Sequence, residues 1–283
     1  MNNIKEIFQD KTFRWVDHTK INTFQQIPFT SMTSFGIDDA LALSISNKLS
    51  PATMRLWVHP NTVVLGIPDG RLPYVEEGVQ FLTQAGYHVV IRNSGGLAVV
   101  LDEEVLNISL IIPNAKKISI HDCYDMMYRF VQYSLRDLTD QIKAYEITGS
   151  YCPGDYDLSI RGIKFAGISQ RRVQDGAAVQ IYLDVNGNSE KRAKLIRHFY
   201  DISLKNQETK FNYPTVEHEK MGSLAQLLGQ PLTMDDMRER VQLSLIELSD
   251  NVITMPFSSY ELERFQARFQ QMVKRNEKLA ALQ

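Results

Sequence analysis

Between Tyr87 and Ile112 the chain carries three runs dense in valine and isoleucine, YHVVIR, LAVVL and VLNISLII, punctuated only by glycine or acidic turns. Branched Cβ atoms crowd a helix turn but suit a pleated surface, so these runs are strands of a mixed sheet. Further strands are expected at TVVLG (Thr62–Gly66) and at Ala144–Thr148. YDLSIRGIKFAGIS reads as a hairpin turning at Arg161–Gly162, and AAVQIYLDV as a strand ending in an Asn186–Gly187 turn.

Helical spacing surrounds this block. Ile37, Leu41 and Ile45 recur from Ser34, with Asp38 and Asp39 in the expected first turn; Val75, Val79 and Leu82 follow Pro73; His121–Arg136 is a third helical stretch. Ser189 and Thr233 are expected to cap later helices. Ser258 and Glu261 have capping-box spacing before Leu262, Phe265, Phe269 and Met272. Strands in the middle with helices around them predict an α+β fold, a mixed sheet flanked by helices. No linker is visible, so the expected division is an N-terminal segment 1–33, one catalytic domain 34–255, and a C-terminal helical segment 256–283.

Composition narrows the function. A formal net charge of -2 gives no sustained basic surface, so no nucleic-acid partner is expected. No stretch approaches the roughly 20 apolar residues that cross a bilayer, and MNNIKEIFQD is too charged for a secretory signal. Two cysteines, Cys123 and Cys152, read as reduced thiols of a cytoplasmic protein. Six histidines without HExxH or paired-cysteine spacing predict no metal, and His59 reads as structural.

Three places could carry chemistry. Cys152, in GSYCPGDYDLSI, sits in a tight loop between expected strands, where a scaffold commonly presents reactive groups. Most free cysteines are simply small buried hydrophobes, as Cys123 is expected to be. Lys164 shifts that balance: the hairpin carries it back toward the Cys152 loop, where an ammonium would favour thiolate in a group with an ordinary pKa of ~8.5. A solvated hairpin lysine is the commoner fate, but GIKFAGIS is otherwise apolar and glycine-rich. Finally, RNSGGLAVVLD (Arg92–Asp102) puts Gly95–Gly96 between strands, which permits close backbone approach to a ligand and reads equally as a plain turn. Neither a GxxxxGK[ST] nor a post-strand GxGxxG phosphate loop is present.

Taken together, LWVHPNTVVLG, RNSGGLAVVLD and GSYCPGDYDLSIRGIKFAGISQRR resemble, in order and spacing, segments of the lipoate/biotin protein ligase superfamily from about Ser34 to Leu204. Having both Cys152 and Lys164, the chain resembles its octanoyltransferases, which form an acyl-enzyme, more than its ATP-dependent ligases. SYCPGDYDLSI and the Asn93, Ser94 and Leu97 variant of the loop are most similar to the amidotransferase group. The resemblance implies octanoyl transfer from the glycine cleavage H protein to lysines of lipoyl domains of 2-oxoacid dehydrogenase acyltransferase subunits, with no cofactor. It implies Cys152 and Lys164 as catalytic residues, and Arg92, Ser94, Gly95, Gly96, Leu97, Ala98, Gly167, Ile168 and Ser169 around the acyl group. Arg171 and Arg172 are candidates for docking an acidic partner. An octanoyltransferase fed by acyl carrier protein and an ATP-dependent lipoate ligase are the alternatives.

Overall fold

The computed structural model describes residues 4, 8 and 11–282, so most of the first ten residues, on which the signal reading rests, lie outside it. In chain order the elements are β1 (Thr12–His18), the short pair β2 (Thr23–Phe24) and β3 (Ile27–Pro28), α1 (Ser31–Ser46), β4 (Ala52–Trp57), β5 (Thr62–Leu65) and α2 (Val75–Gln84). Next come β6 (His88–Ile91), β7 (Val99–Leu101), β8 (Val105–Ile112), α3 (Ile120–Ser134) and β9 (Ile142–Ala144). The chain continues through β10 (Asp157–Ile160), β11 (Ile163–Val173), β12 (Gly176–Asp184) and α4 (Ser189–Leu204). It ends with α5 (Leu224–Leu228), α6 (Met234–Leu248), β13 (Asn251–Ile253) and α7 (Ser259–Ala280). The architecture is the expected α+β mixture of sheets and flanking helices.

The three runs rich in valine and isoleucine divide between two sheets. β6 and β7 flank β5 in a three-stranded sheet, whereas β8 lies inside an eight-stranded sheet ordered β13-β1-β4-β8-β12-β11-β10-β9. β1 runs parallel to β4 and β13, and the other neighbours in the large sheet are antiparallel. The segment 1–33 therefore supplies an inner strand, and its TFRWVDH run escapes a reading based on valine and isoleucine alone.

Strand alternation explains the two cores. In β8, Leu106, Ile108, Leu110 and Ile112 face a core shared with α3 and α6, while Val105 and Ile111 face the core shared with α1, α2, α4 and the small sheet. Asn107 and Ser109 fall on that second face, so polar atoms enter it in register. Arg55 of β4 and Asp38 of α1 meet there, both buried, Nε to Oδ1 at 2.9 Å. Asp38 Oδ2 accepts from Ser109 Oγ at 2.6 Å and from Gln180 Nε2 at 2.7 Å. The helix starts at Ser31, not Ser34, so Asp38 and Asp39 lie inside it as buried partners of Arg55 and Arg171 and not as first-turn charges.

Other boundaries move slightly. Asn188, not Ser189, caps α4 by accepting from the Lys191 N–H at 2.8 Å, while Thr233 and Ser258 cap as expected. The extended stretch expected at Ala144–Thr148 ends at Ala144. The final helix covers the core: Phe265, Met272 and Leu279 are buried, and Glu261 pairs with buried Arg14 of β1 at 2.8 Å. Asn276 clamps the edge strand β6, accepting from the Ile91 N–H at 2.7 Å and donating to its carbonyl at 3.2 Å. Among the described residues no helix is long and apolar enough to cross a membrane.

Candidate active site

The β10–β11 hairpin and the loop entering it bring Cys152 and Lys164 together, but not by direct contact of ammonium and sulfur. Lys164 Nζ is fully buried and donates to the carbonyls of Tyr151 at 2.9 Å and Cys152 at 2.8 Å and to Ser150 Oγ at 3.2 Å. It also pairs with Asp157 Oδ1 at 2.8 Å. A bulge between Leu158 and Ser159, opposite Lys164, is the kind of irregularity that re-aims side chains out of strict alternation. The other Asp157 oxygen accepts the Ile147 N–H at 3.0 Å, so one carboxylate ties both ends of the loop. Burial holds the Asp157 carboxyl above its ordinary value, although the Lys164 ammonium works against it. Cys152 itself has φ +48°, a left-handed conformation that a side-chain-bearing residue holds only where its surroundings impose it.

The sulfur's own partners come from the loop after β6. The Leu97 N–H points at Cys152 Sγ at 3.0 Å, and Arg92 Nη2 lies 3.4 Å from the same sulfur while donating to the Leu97 carbonyl at 2.7 Å. Gly96 makes this approach possible: its φ is +97°, and a Cβ there would stand 2.2 Å from Arg92 Nη2 and 2.9 Å from Sγ. Gly66, at the end of the TVVLG run, is tight for a related reason, since its Cβ would stand 1.9 Å from the Gly96 carbonyl oxygen.

A second layer holds the loop. The Ala98 N–H donates to Tyr200 Oη at 3.4 Å, and that hydroxyl donates to Asp69 Oδ1 at 2.9 Å. Asp69 Oδ2 accepts the Gly66 N–H at 2.7 Å. Burial raises the Asp69 carboxyl to about 6. Asp69, Tyr200 and Asp157 were not foreseen. Asp69 looks like an ordinary turn residue in IPDGR and Tyr200 like one more apolar position of α4, so only the folded chain links them to Gly66 and Ala98.

Cys152 forms part of the wall of a cavity of about 270 Å³. Phe35, Trp57, Val64, Val99, Leu101 and Tyr182 make it largely apolar. Of the expected acyl-binding residues, Arg92, Gly95, Gly96, Gly167, Ile168 and Ser169 line it, whereas Ser94, Leu97 and Ala98 are buried in the loop behind. Gly167 keeps the wall thin, since a Cβ there would meet Tyr182 Cε1 at 2.9 Å. Trp57 is fixed from behind by its Nε1–H to Ser109 Oγ at 2.9 Å.

The remaining candidates lie in structural roles. Cys123 is fully buried in α3, and burial pushes its thiol up. Arg171 is partly exposed and pairs with Asp39 at 3.2 Å, and Arg172 donates to the Ala115 and Ile118 carbonyls at 2.6 and 2.9 Å. His59 is buried, lies 2.9 Å from Ser34 Oγ, and is driven down to about 3 by burial and then by Arg55. Among the described residues no group of three or more His, Cys, Asp and Glu is placed to hold a metal.

Comparison with known proteins matches residues 31–246 to the lipoyl protein ligase A/B catalytic domain. The octanoyl-[GcvH]:protein N-octanoyltransferase of Oceanobacillus iheyensis is 58% identical over 98% of this chain and 99% of its own. The protein of the same name from Exiguobacterium sibiricum is 48% identical over 97% and 98%. A lipoyl-[GcvH]:protein N-lipoyltransferase of Listeria monocytogenes is 42% identical over 99% of both chains. Among solved structures, lipoate-protein ligase A bound with ATP superposes with a TM-score of 0.67 at 16% identity, over 92% of this chain and 94% of that one. A bipartite lipoate protein ligase from Thermoplasma acidophilum gives 0.64 at 18%, over 93% of each.

Proposed function

The chain belongs to the lipoyl protein ligase A/B catalytic-domain family, and from that premise we propose that it works through a thioester on Cys152. It is an acyltransferase that moves octanoyl groups from GcvH, the glycine cleavage H protein, to acceptor proteins, the activity for which its near full-length relatives are named. The acceptors in this reading are lysines of lipoyl domains in 2-oxoacid dehydrogenase acyltransferase subunits, and the reaction takes place in the cytoplasm.

The observation that carries the mechanism is the position of Cys152 Sγ, on the wall of an apolar cavity and 3.0 Å from the Leu97 N–H. The sulfur attacks the amide carbonyl that joins octanoyl to the donor lysine. A C–S bond forms, the C–N bond breaks, and the proton that left the thiol ends on the departing lysine nitrogen. The acceptor lysine then attacks the thioester; a new C–N bond forms, the C–S bond breaks and returns its electron pair to sulfur, and the nitrogen sheds a proton to water. Splitting amide exchange in this way replaces one difficult step with two easier ones. Donor and product are both lysine amides, so no energy-supplying cosubstrate is needed. Fixed N–H groups such as that of Leu97 stabilise negative charge as it develops, because they are already oriented. The acyl chain enters the cavity, where burial at about 0.8 kcal/mol per methylene supplies several kcal/mol of binding.

Intact-mass spectrometry after mixing with octanoylated GcvH tests this reading. An added octanoyl group is expected, removable by hydroxylamine, absent in Cys152→Ala, and retained in Cys123→Ser. An adduct mapping to Cys123, or transfer at full rate by Cys152→Ala, would remove the mechanism.

A further inference from the structure

The loop that presents Cys152 continues into the wall of its own cavity. Three and four residues on, Asp155 and Tyr156 line that cavity, and Tyr124 of α3 lines it too. The Tyr124 and Tyr156 rings lie 5.2 Å apart, tilted by 49°. Both are half-buried, and neither phenol has a hydrogen-bond partner among the described residues. Asp155 is exposed and pairs with no cation among the described residues. The acidic side chains of α3 nearby are engaged: Ser119 Oγ donates to Asp122 at 2.7 Å, and Asp125 is held by Arg129 at 2.6 Å. Burial, and then the carboxylates of Asp125, Asp122 and Asp155, push the Tyr156 phenol up, so all three act on this ring. Two aromatic faces beside an unpaired carboxylate suit a long alkyl ammonium, whose stem packs on a ring while its charged head stays at water.

We propose that Tyr124, Asp155 and Tyr156 form the subsite that receives the acceptor lysine as a cation, before it gives up a proton and attacks. The assignment rests on Cys152 as nucleophile and adds what tells the two lysines of the exchange apart. The donor lysine arrives as a neutral amide and the acceptor as an ammonium, so only the acceptor gains from a carboxylate and from ring faces that attract cations. Arg92, 6% exposed and 3.4 Å from the sulfur, repels an ammonium that goes further. Charge therefore favours the lysine protonated beside Asp155 and neutral beside the sulfur. The ammonium sheds one proton to water, and the amine attacks the thioester carbonyl. A C–N bond forms, the C–S bond breaks with its electron pair returning to sulfur, and the nitrogen sheds a second proton to water as the amide forms. Tyr124, Asp155 and Tyr156 bind and orient; none of them exchanges a proton.

Discharge of the octanoyl-enzyme, formed from octanoylated GcvH and separated from it, tests the subsite with two small nucleophiles. Nα-acetyl-lysine methylamide carries the cation; hydroxylamine is largely uncharged near neutral pH and small enough to need no subsite. The ratio of lysine to hydroxylamine discharge, below lysine saturation, should fall about two- to fivefold in Asp155→Asn and in Tyr156→Leu, through a higher half-saturating lysine concentration. Tyr156→Phe keeps the ring face and should restore most of what Tyr156→Leu loses. Added salt should erode the ratio of the parent and leave that of Asp155→Asn nearly flat. Slowing of Cys152 alkylation by the lysine compound, weaker in Asp155→Asn, reads the same subsite without any acyl group. A ratio unmoved in both Asp155→Asn and Tyr156→Leu, or both nucleophiles slowed alike, overturns the proposal. Absence of an octanoyl adduct on the parent would remove the thioester reading, whereas an adduct that forms and discharges with an unmoved ratio would remove this one alone.

Discussion

Adding one methyl group at Gly96 tests how closely the thiol's surroundings are fitted. In Gly96→Ala the new Cβ would stand 2.2 Å from Arg92 Nη2, against a contact distance of about 3.5 Å, so the guanidinium must retreat by about 1.3 Å. It would also stand 2.9 Å from Cys152 Sγ, and the Gly66–Gly96 contact behind the loop blocks relief in the other direction. Misplacement of a reacting group by about 1 Å can lower a rate by about 100-fold. Separately, a side chain at φ +97° is strained by roughly 1–2 kcal/mol, which for a chain of this size is a fall in Tm of about 2–8 °C. The assay is the rate of octanoyl-enzyme formation by rapid-quench intact mass, with a thermal melt alongside. Loss of about 100-fold in acylation with only a few degrees of Tm is expected. A variant that acylates within about threefold of the parent would show that neither the Leu97 N–H nor Arg92 needs its present position.

Other expectations follow from the surrounding framework. Between pH 4 and 6.5, Asp69→Asn should gain stability relative to the parent as pH rises. The parent carboxyl, raised to about 6 chiefly by burial, binds its proton more tightly folded than unfolded and loses that advantage on ionising; a constant difference between the two melting curves would refute this. His18 and His59, held down to about 3 chiefly by burial, act in the opposite sense in both proteins, contributing stability that is lost as pH falls below about 6.5. Glu261→Ala leaves Arg14 buried without its carboxylate, so urea unfolding should show a loss of about 3–5 kcal/mol; a change under 1 kcal/mol would mean that Arg14 finds another partner or water.

The helices and most strands were legible because their patterns are local. Phe265 and Met272 announce the buried side of α7 through spacing alone, and Arg161–Gly162 announces its hairpin through turn chemistry. What stayed hidden depends on contacts across the chain. β1 is aromatic, charged and paired with strands distant in sequence, so valine and isoleucine density passed over it. Cys152 and Lys164 were picked out together, but the hairpin carries the ammonium to the carbonyl side of the loop, a distinction of a few ångströms that no spacing encodes. Arg92 was expected near the acyl group, and its contact with sulfur follows only from the turn that Gly96 allows. Asp38, read as a helix-start charge, is the counterion of Arg55, because two strands place polar residues on the same buried face.

The grip of Asn276 on both backbone groups of Ile91 ties the last turns of α7 to the residue just before Arg92. A ribosome therefore finishes the enzyme from the outside in: every reactive side chain has emerged long before the helix that fixes their spacing. Until that helix docks, a newly made chain lacks the tie between α7 and the residue before Arg92. A copy cut short by a few turns would keep all its chemistry in the sequence and still work poorly.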